Sequence, residues 1–224
     1  MLSTNFAFVM SDESAGEGAG SRRRPRGVVR DGLVAAGLEL ARIGGPDAVV
    51  LREAARTVGV VPNAAYRHFS DRDELLAAVC SAAMGELAAR MAADVGRVRG
   101  KYGDPAAARR RLRAIGQAYL RFAREQPGLF ATAFALPHRH AYGIAAAAAA
   151  QHPAPLDQLR AVLDELVEAG VLSRSRRAGI EYPVWSTVHG MAVLTGQGPL
   201  RDAPEATRRH IQEALRAFIE AALA

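Results

Sequence analysis

From Arg26 onward, apolar residues recur at helical spacing, and proline or glycine cuts the pattern into lengths. The first stripe is Val29, Leu33, Ala36, Leu40 and Ile43, the rhythm of one buried helix face. Gly44-Gly45-Pro46 ends it. Leu51 to Val58 predicts a short helix, with Ala54 and Ala55 small enough for close contact and Gly59 placed to turn left-handed just past its end. Pro62 suits a first helical turn and predicts a second short helix through Asn63 to Phe69. Ser70 reads as the cap of a longer helix, with Asp73 completing a capping box and Leu76, Cys80, Ala83 and Leu87 forming its stripe. Later helices open or break at Pro105, Pro127-Gly128, Pro137, Pro153, Pro155, Pro183 and Pro204. Alanine is abundant and strand formers are sparse, so the expectation is an all-α chain of about nine helices. Half of the residues are hydrophobic, enough to bury a sizeable core.

Charge is unevenly placed. The chain carries 29 basic and 23 acidic residues, a net charge of +6. Nine arginines and four acids fall between Ser21 and Ser70, which leaves +5 in under a quarter of the chain. That concentration points to a polyanionic partner. The lone cysteine, Cys80, excludes an internal disulfide and fits a reducing compartment. No stretch reads as a membrane span or a secretory signal, and residues 11 to 21 are too polar and glycine-rich to order themselves. The expectation is a cytoplasmic protein with no membrane partner.

Two short helices joined by a glycine turn and braced by a third make a helix-turn-helix, whose second helix enters the DNA major groove. Leu51, Ala55, Val58, Val60, Ala65 and Phe69 would face inward. Val61, Pro62, Asn63, Ala64 and Arg67 would then face out, with Tyr66 and His68 at the edge and Arg52 on the preceding helix. Asn pairs with adenine and Arg with guanine, while Pro and Ala meet a thymine methyl. Tyr and His suit phosphates, which set register without reading sequence. Arg72 sits in the first turn of the next helix, another phosphate site. Arg22, Arg23, Arg24 and Arg26 form an arm placed to contact phosphates or the minor groove.

The stretch "LREAARTVGVVPNAAYRHFSDRDELLAAV" resembles the TetR family of bacterial transcriptional regulators through Tyr66, His68, Phe69, Arg72, Glu74 and Leu75. Trp185, His189 and Gly190, in "VWSTVHGMAVL", resemble the Trp-His-Gly motif of one subgroup of TetR C-terminal domains. The resemblance implies an all-α homodimer on double-stranded operator DNA, a C-terminal domain that binds a small-molecule effector, and pairing of subunits through the last two long helices. It divides the chain into a tail and basic arm (1–24), a DNA-binding domain (25–87, with the motif near 50–69) and an effector and dimerisation domain (88–224). Two positions depart from the family pattern: Val50 and Val61 stand where Ser or Thr usually caps each helix, a loss of about 1 kcal/mol apiece.

Tyr119, Phe122, Phe130, Phe134, Tyr142, Trp185 and His189 come from helices expected to surround one cavity, the candidate effector pocket. His138, His140 and His152 lack carboxylate or thiolate company, so no metal is expected. No phosphate loop, nucleophile–base pair or carboxylate pair stands out, and neither a cofactor nor an enzyme is expected. The leading reading is a repressor that leaves its operator when a small apolar molecule binds. The alternative is a helical ligand carrier or small enzyme with a vestigial helix-turn-helix.

Overall fold

The computed structural model describes residues 26–136 and 152–223, and among them there are ten α-helices and no strand. The chain begins with α1 (Arg26–Gly44), a short 3-10 turn (Pro46–Ala48), α2 (Leu51–Val58), α3 (Pro62–Ala65) and α4 (Arg72–Gly96). It continues through α5 (Pro105–Glu125), α6 (Pro127–Ala133), α7 (Pro155–Glu168), α8 (Arg174–Arg177), α9 (Glu181–Gly196) and α10 (Glu205–Leu223).

Val29, Leu33 and Ala36 of α1 are buried as the stripe requires, but Ile43 is 89% exposed. The stripe names a face and not the point where the packing partner ends. Gly37 marks the crossing of α1 and α4: a Cβ there would meet Val79 at 2.5 Å. Gly59 takes the left-handed conformation (φ 73°, ψ 35°), and the Val60 N–H closes the end of α2 on the Ala55 carbonyl at 3.0 Å. α3 is one turn long, shorter than the expected Asn63 to Phe69. The chain then tightens, with the Arg67 and His68 N–H groups bonding carbonyls three residues back. Neither Val50 nor Val61 supplies a side-chain cap.

The start of α4 corrects the expected capping. Asp71, not Ser70, is the N-cap: its side chain accepts from the Glu74 N–H at 2.8 Å. Glu74 in turn accepts from the Ser70 N–H at 2.7 Å, which holds its carboxyl below the usual range. The box is shifted one residue along so that Phe69 and Leu75 can both be fully buried. α4 is long and apolar enough to cross a bilayer, contrary to the sequence expectation. Its apolar face (Leu75, Leu76, Val79, Cys80, Leu87) is buried in the protein, so it is a core helix.

One core joins the first helices to the rest through α4: Leu33, Phe69, Leu75, Leu87, Phe122 and Leu129 belong to one buried cluster. A second cluster, with Leu159, Leu163, Leu166, Leu172 and Val184, ties α7 to α9.

Candidate nucleic-acid interface and effector core

α2 and α3 present one wet face. Arg52, Pro62, Asn63 and Arg67 are exposed, Val61 is 68% exposed and Tyr66 45%. Ala64 and His68 are half-buried at the edge, while Ala65 and Phe69 point into the core. Among the described residues, the side chains of Arg52, Asn63, Tyr66 and Arg67 make no hydrogen bond or ion pair. Other arginines nearby are occupied. Arg56 donates to Glu53 at 2.8 Å, and the Arg30 guanidinium lies 4.7 Å from the Phe69 ring centre. A polar side chain held out on a buried scaffold, with its donors unused, is available to a groove edge.

Arg72 differs from the expectation. It donates to the carbonyls of Val49 (3.0 Å) and Pro46 (2.8 Å) and lies 3.8 Å from Asp47. It pins the start of α4 to the turn ahead of α2, and so positions the motif. Arg22, Arg23 and Arg24 lie outside the described residues, as does the side chain of Arg26, whose backbone starts α1.

Four of the seven aromatic candidates close around His189. Its ring centre is 4.7 Å from Phe134, 5.6 Å from Phe130, 6.1 Å from Trp185 and 6.2 Å from Tyr119. Trp185 Nε1, which can only donate, bonds the Tyr119 hydroxyl at 3.3 Å, and that hydroxyl lies 2.8 Å from His189 Nδ1. Burial pushes the Tyr119 hydroxyl up and the His189 imidazole down. Tyr119 therefore accepts from Trp185, and which partner donates between its hydroxyl and His189 Nδ1 follows the imidazole tautomer. Phe122 faces elsewhere: it is fully buried, with the Arg90 guanidinium 5.3 Å from its ring centre. Tyr142, His138 and His140 lie outside the described residues. The cavity touching Tyr119 and Trp185 holds about 50 Å³, and none of the six described candidates lines a larger groove of about 470 Å³ beside α10. Among the described residues no group of three His, Cys, Asp or Glu is placed to hold a metal.

The sequence reading missed the joint between these two parts. A Cβ on Gly128, in the first turn of α6, would stand 2.3 Å from the Ala41 carbonyl oxygen. Beside it, Arg42 of α1 donates to Gln126 at 2.7 Å and to Glu86 of α4 at 3.1 Å. α6 also carries Phe130, and Phe134 follows at its end. Pro127-Gly128 was legible only as a break, because a partner 84 residues away leaves no local pattern.

A helix-turn-helix with an unpartnered reading face, joined through one core to a larger helical part, defines a DNA-binding regulator of transcription. The profile described as "Bacterial regulatory proteins, tetR family" matches residues 33–79, and "Tetracyclin repressor-like, C-terminal domain" matches residues 112–218. The chain thus carries the DNA-binding domain of the TetR family and a TetR-type C-terminal domain. Among solved structures it is similar to a protein of unknown function from a Rhodococcus species, at 25% identity and TM-score 0.69, over 92% of this chain and all of that one. The TetR-family regulator PfmR from Thermus thermophilus is 23% identical with TM-score 0.50, over 85% and 96% of the two chains. MexZ, a repressor of Pseudomonas aeruginosa, is 18% identical with TM-score 0.54, over 88% and 96%. No curated protein matches the sequence.

Proposed function

We propose that the chain is a cytoplasmic homodimeric repressor whose α3 reads an operator and whose aromatic core, around His189, receives a small, largely apolar effector. The observation that carries the DNA assignment is the unpartnered pair Asn63 and Arg67 on an exposed face. Arg52, Val61, Pro62, Ala64, Tyr66 and His68 complete that surface, and the arm arginines extend it. The carrier alternative draws on the two missing caps at Val50 and Val61, yet α2 and α3 form without them.

Exposed apolar residues on the last two long helices support the dimer: Tyr182, Val193 and Leu194 on α9, and Phe218 (62% exposed) on α10. Burying such a patch against its twin removes it from water. The effector would act through α6. A ligand that displaces Phe130 or Phe134 moves the helix whose other end abuts α1, and Arg42 carries the shift to α4. The two reading heads must sit about 34 Å apart to enter successive major grooves, so a modest change of spacing releases DNA. The His189 imidazole offers the effector one polar anchor in an otherwise apolar site. Trp185, His189 and Gly190 fit the Trp-His-Gly subgroup, and the division between DNA-binding and effector parts falls within α4.

Footprinting on the intergenic DNA beside the protein's own gene tests the reading. Two protected patches one helical turn apart, lost when the effector is added, are expected. Uniform, sequence-independent protection would contradict it.

A further inference from the structure

A cavity larger than the one at the aromatic core lies elsewhere. It is a groove of about 470 Å³ between α5 and α10, floored by α9, within the roughly 300–1,000 Å³ range of small-molecule sites. Its floor and walls are apolar: Leu112, Leu120, Val188, Met191, Leu215 and Ile219. Its rim is cationic, with seven arginines against two glutamates among the lining residues. Several of those arginines are engaged. Arg113 bridges the groove to Glu220 at 2.9 Å, and Arg208 holds Glu205, whose carboxyl also feels Arg209 and Arg124. Arg109 on α5 and Arg216 on α10 have no partner among the described residues.

We propose that this groove binds a single-tailed amphipathic anion, with its tail along the apolar floor and its acidic head between the lips near Arg109 and Arg216. An apolar trough rimmed by unneutralised guanidinium groups suits that shape and charge, because Arg donors match a carboxylate or phosphate in two-point geometry. The exposed apolar residues assigned above to subunit pairing, Val193, Leu194 and Phe218, do not line the groove. Leu112, Gly116, Val188 and Ile219 also line the small cavity against Tyr119 and Trp185, so occupancy reaches the chain's single tryptophan through these shared residues.

The test uses the full-length protein in its solution oligomer, without DNA, so that it stands apart from the operator reading. Dodecanoate, dodecanol and acetate are titrated against Trp185 fluorescence and by calorimetry. Dodecanoate is expected to bind, dodecanol at least tenfold more weakly, and acetate not measurably. The Arg109→Ala, Arg216→Ala double variant should lose at least tenfold in dodecanoate affinity and keep its dodecanol affinity. Both side chains are exposed and unpartnered, so the fold is not at stake. Gly116→Leu, whose added Cβ meets nothing within 4 Å, should narrow the groove and weaken both tailed probes. Absence of dodecanoate binding, dodecanol binding as tight as dodecanoate, or an unchanged double variant would each overturn the proposal.

Discussion

The arginines of the reading head and those of the larger helical part do opposite work. In the body, half-buried Arg111 pairs with buried Glu165, and Arg177 joins Asp164 at 2.6 Å to Glu181 at 2.9 Å. Arg160 bonds Glu181 and Tyr182 as well. These are internal ties, and little of their charge is left for a partner. In the head, Arg52 and Arg67 keep every donor free among the described residues. Basic composition alone therefore does not locate a nucleic-acid surface; unused donors on the exposed face of a helix-turn-helix do. The groove beside α10 departs from that pattern through Arg109 and Arg216, and it is there that a ligand is inferred.

The comparison can be broken by exchanging the roles. Arg111→Ala should destabilise the fold by about 3–5 kcal/mol, because Glu165, 4% exposed, would lose its guanidinium partner and retain only the Gly103 N–H. A urea unfolding curve reads that loss, and the operator affinity of the folded fraction should not change. A stable Arg111→Ala protein would mean that the body's ion pairs are not internal ties.

Gly128→Ala tests the joint. Its Cβ would collide with backbone, which cannot swing aside, and overpacking of this kind costs about 1–3 kcal/mol. Thermal melting should show the loss. The folded fraction should also release DNA at a changed effector concentration, because α6 can no longer seat on α1.

Smaller effects sharpen the picture. Val61→Thr should restore the missing cap of α3 and add about 1 kcal/mol of stability, read by chemical denaturation. Glu74→Gln should give the smallest change, and it should depend on pH. The bond from the Ser70 N–H lowers the folded carboxyl below its unfolded value. The stabilisation is therefore complete at neutral pH and lost as the pH falls through the folded value. Melting curves of the two proteins should differ at pH 7 and converge in acid.

Sequence reasoning reached the motif because its constraints are local. Gly59 must turn left-handed, Pro62 tolerates a first turn, and Ala65 and Phe69 share one face with Leu51 and Ala55. Where two local solutions competed, geometry decided. Ser70 with Asp73 and Asp71 with Glu74 both spell a capping box, and burial of Phe69 and Leu75 selects the second. Periodicity put Phe122 beside Tyr119 because they are three residues apart. The packing of α4 turns Phe122 toward Arg90 while Tyr119 meets His189. Ile43, Gly128 and the groove beside α10 depend on where remote elements end or stand apart, and no local spacing encodes that.

Titration of wild-type and Arg67→Ala protein against the operator and against an unrelated duplex, at one salt concentration, bears most directly on the reading face. The account predicts a loss of about 1–3 kcal/mol on the operator and much less on the unrelated duplex. Equal affinities for the operator, or an equal loss on both duplexes, would show that α3 does not read base edges.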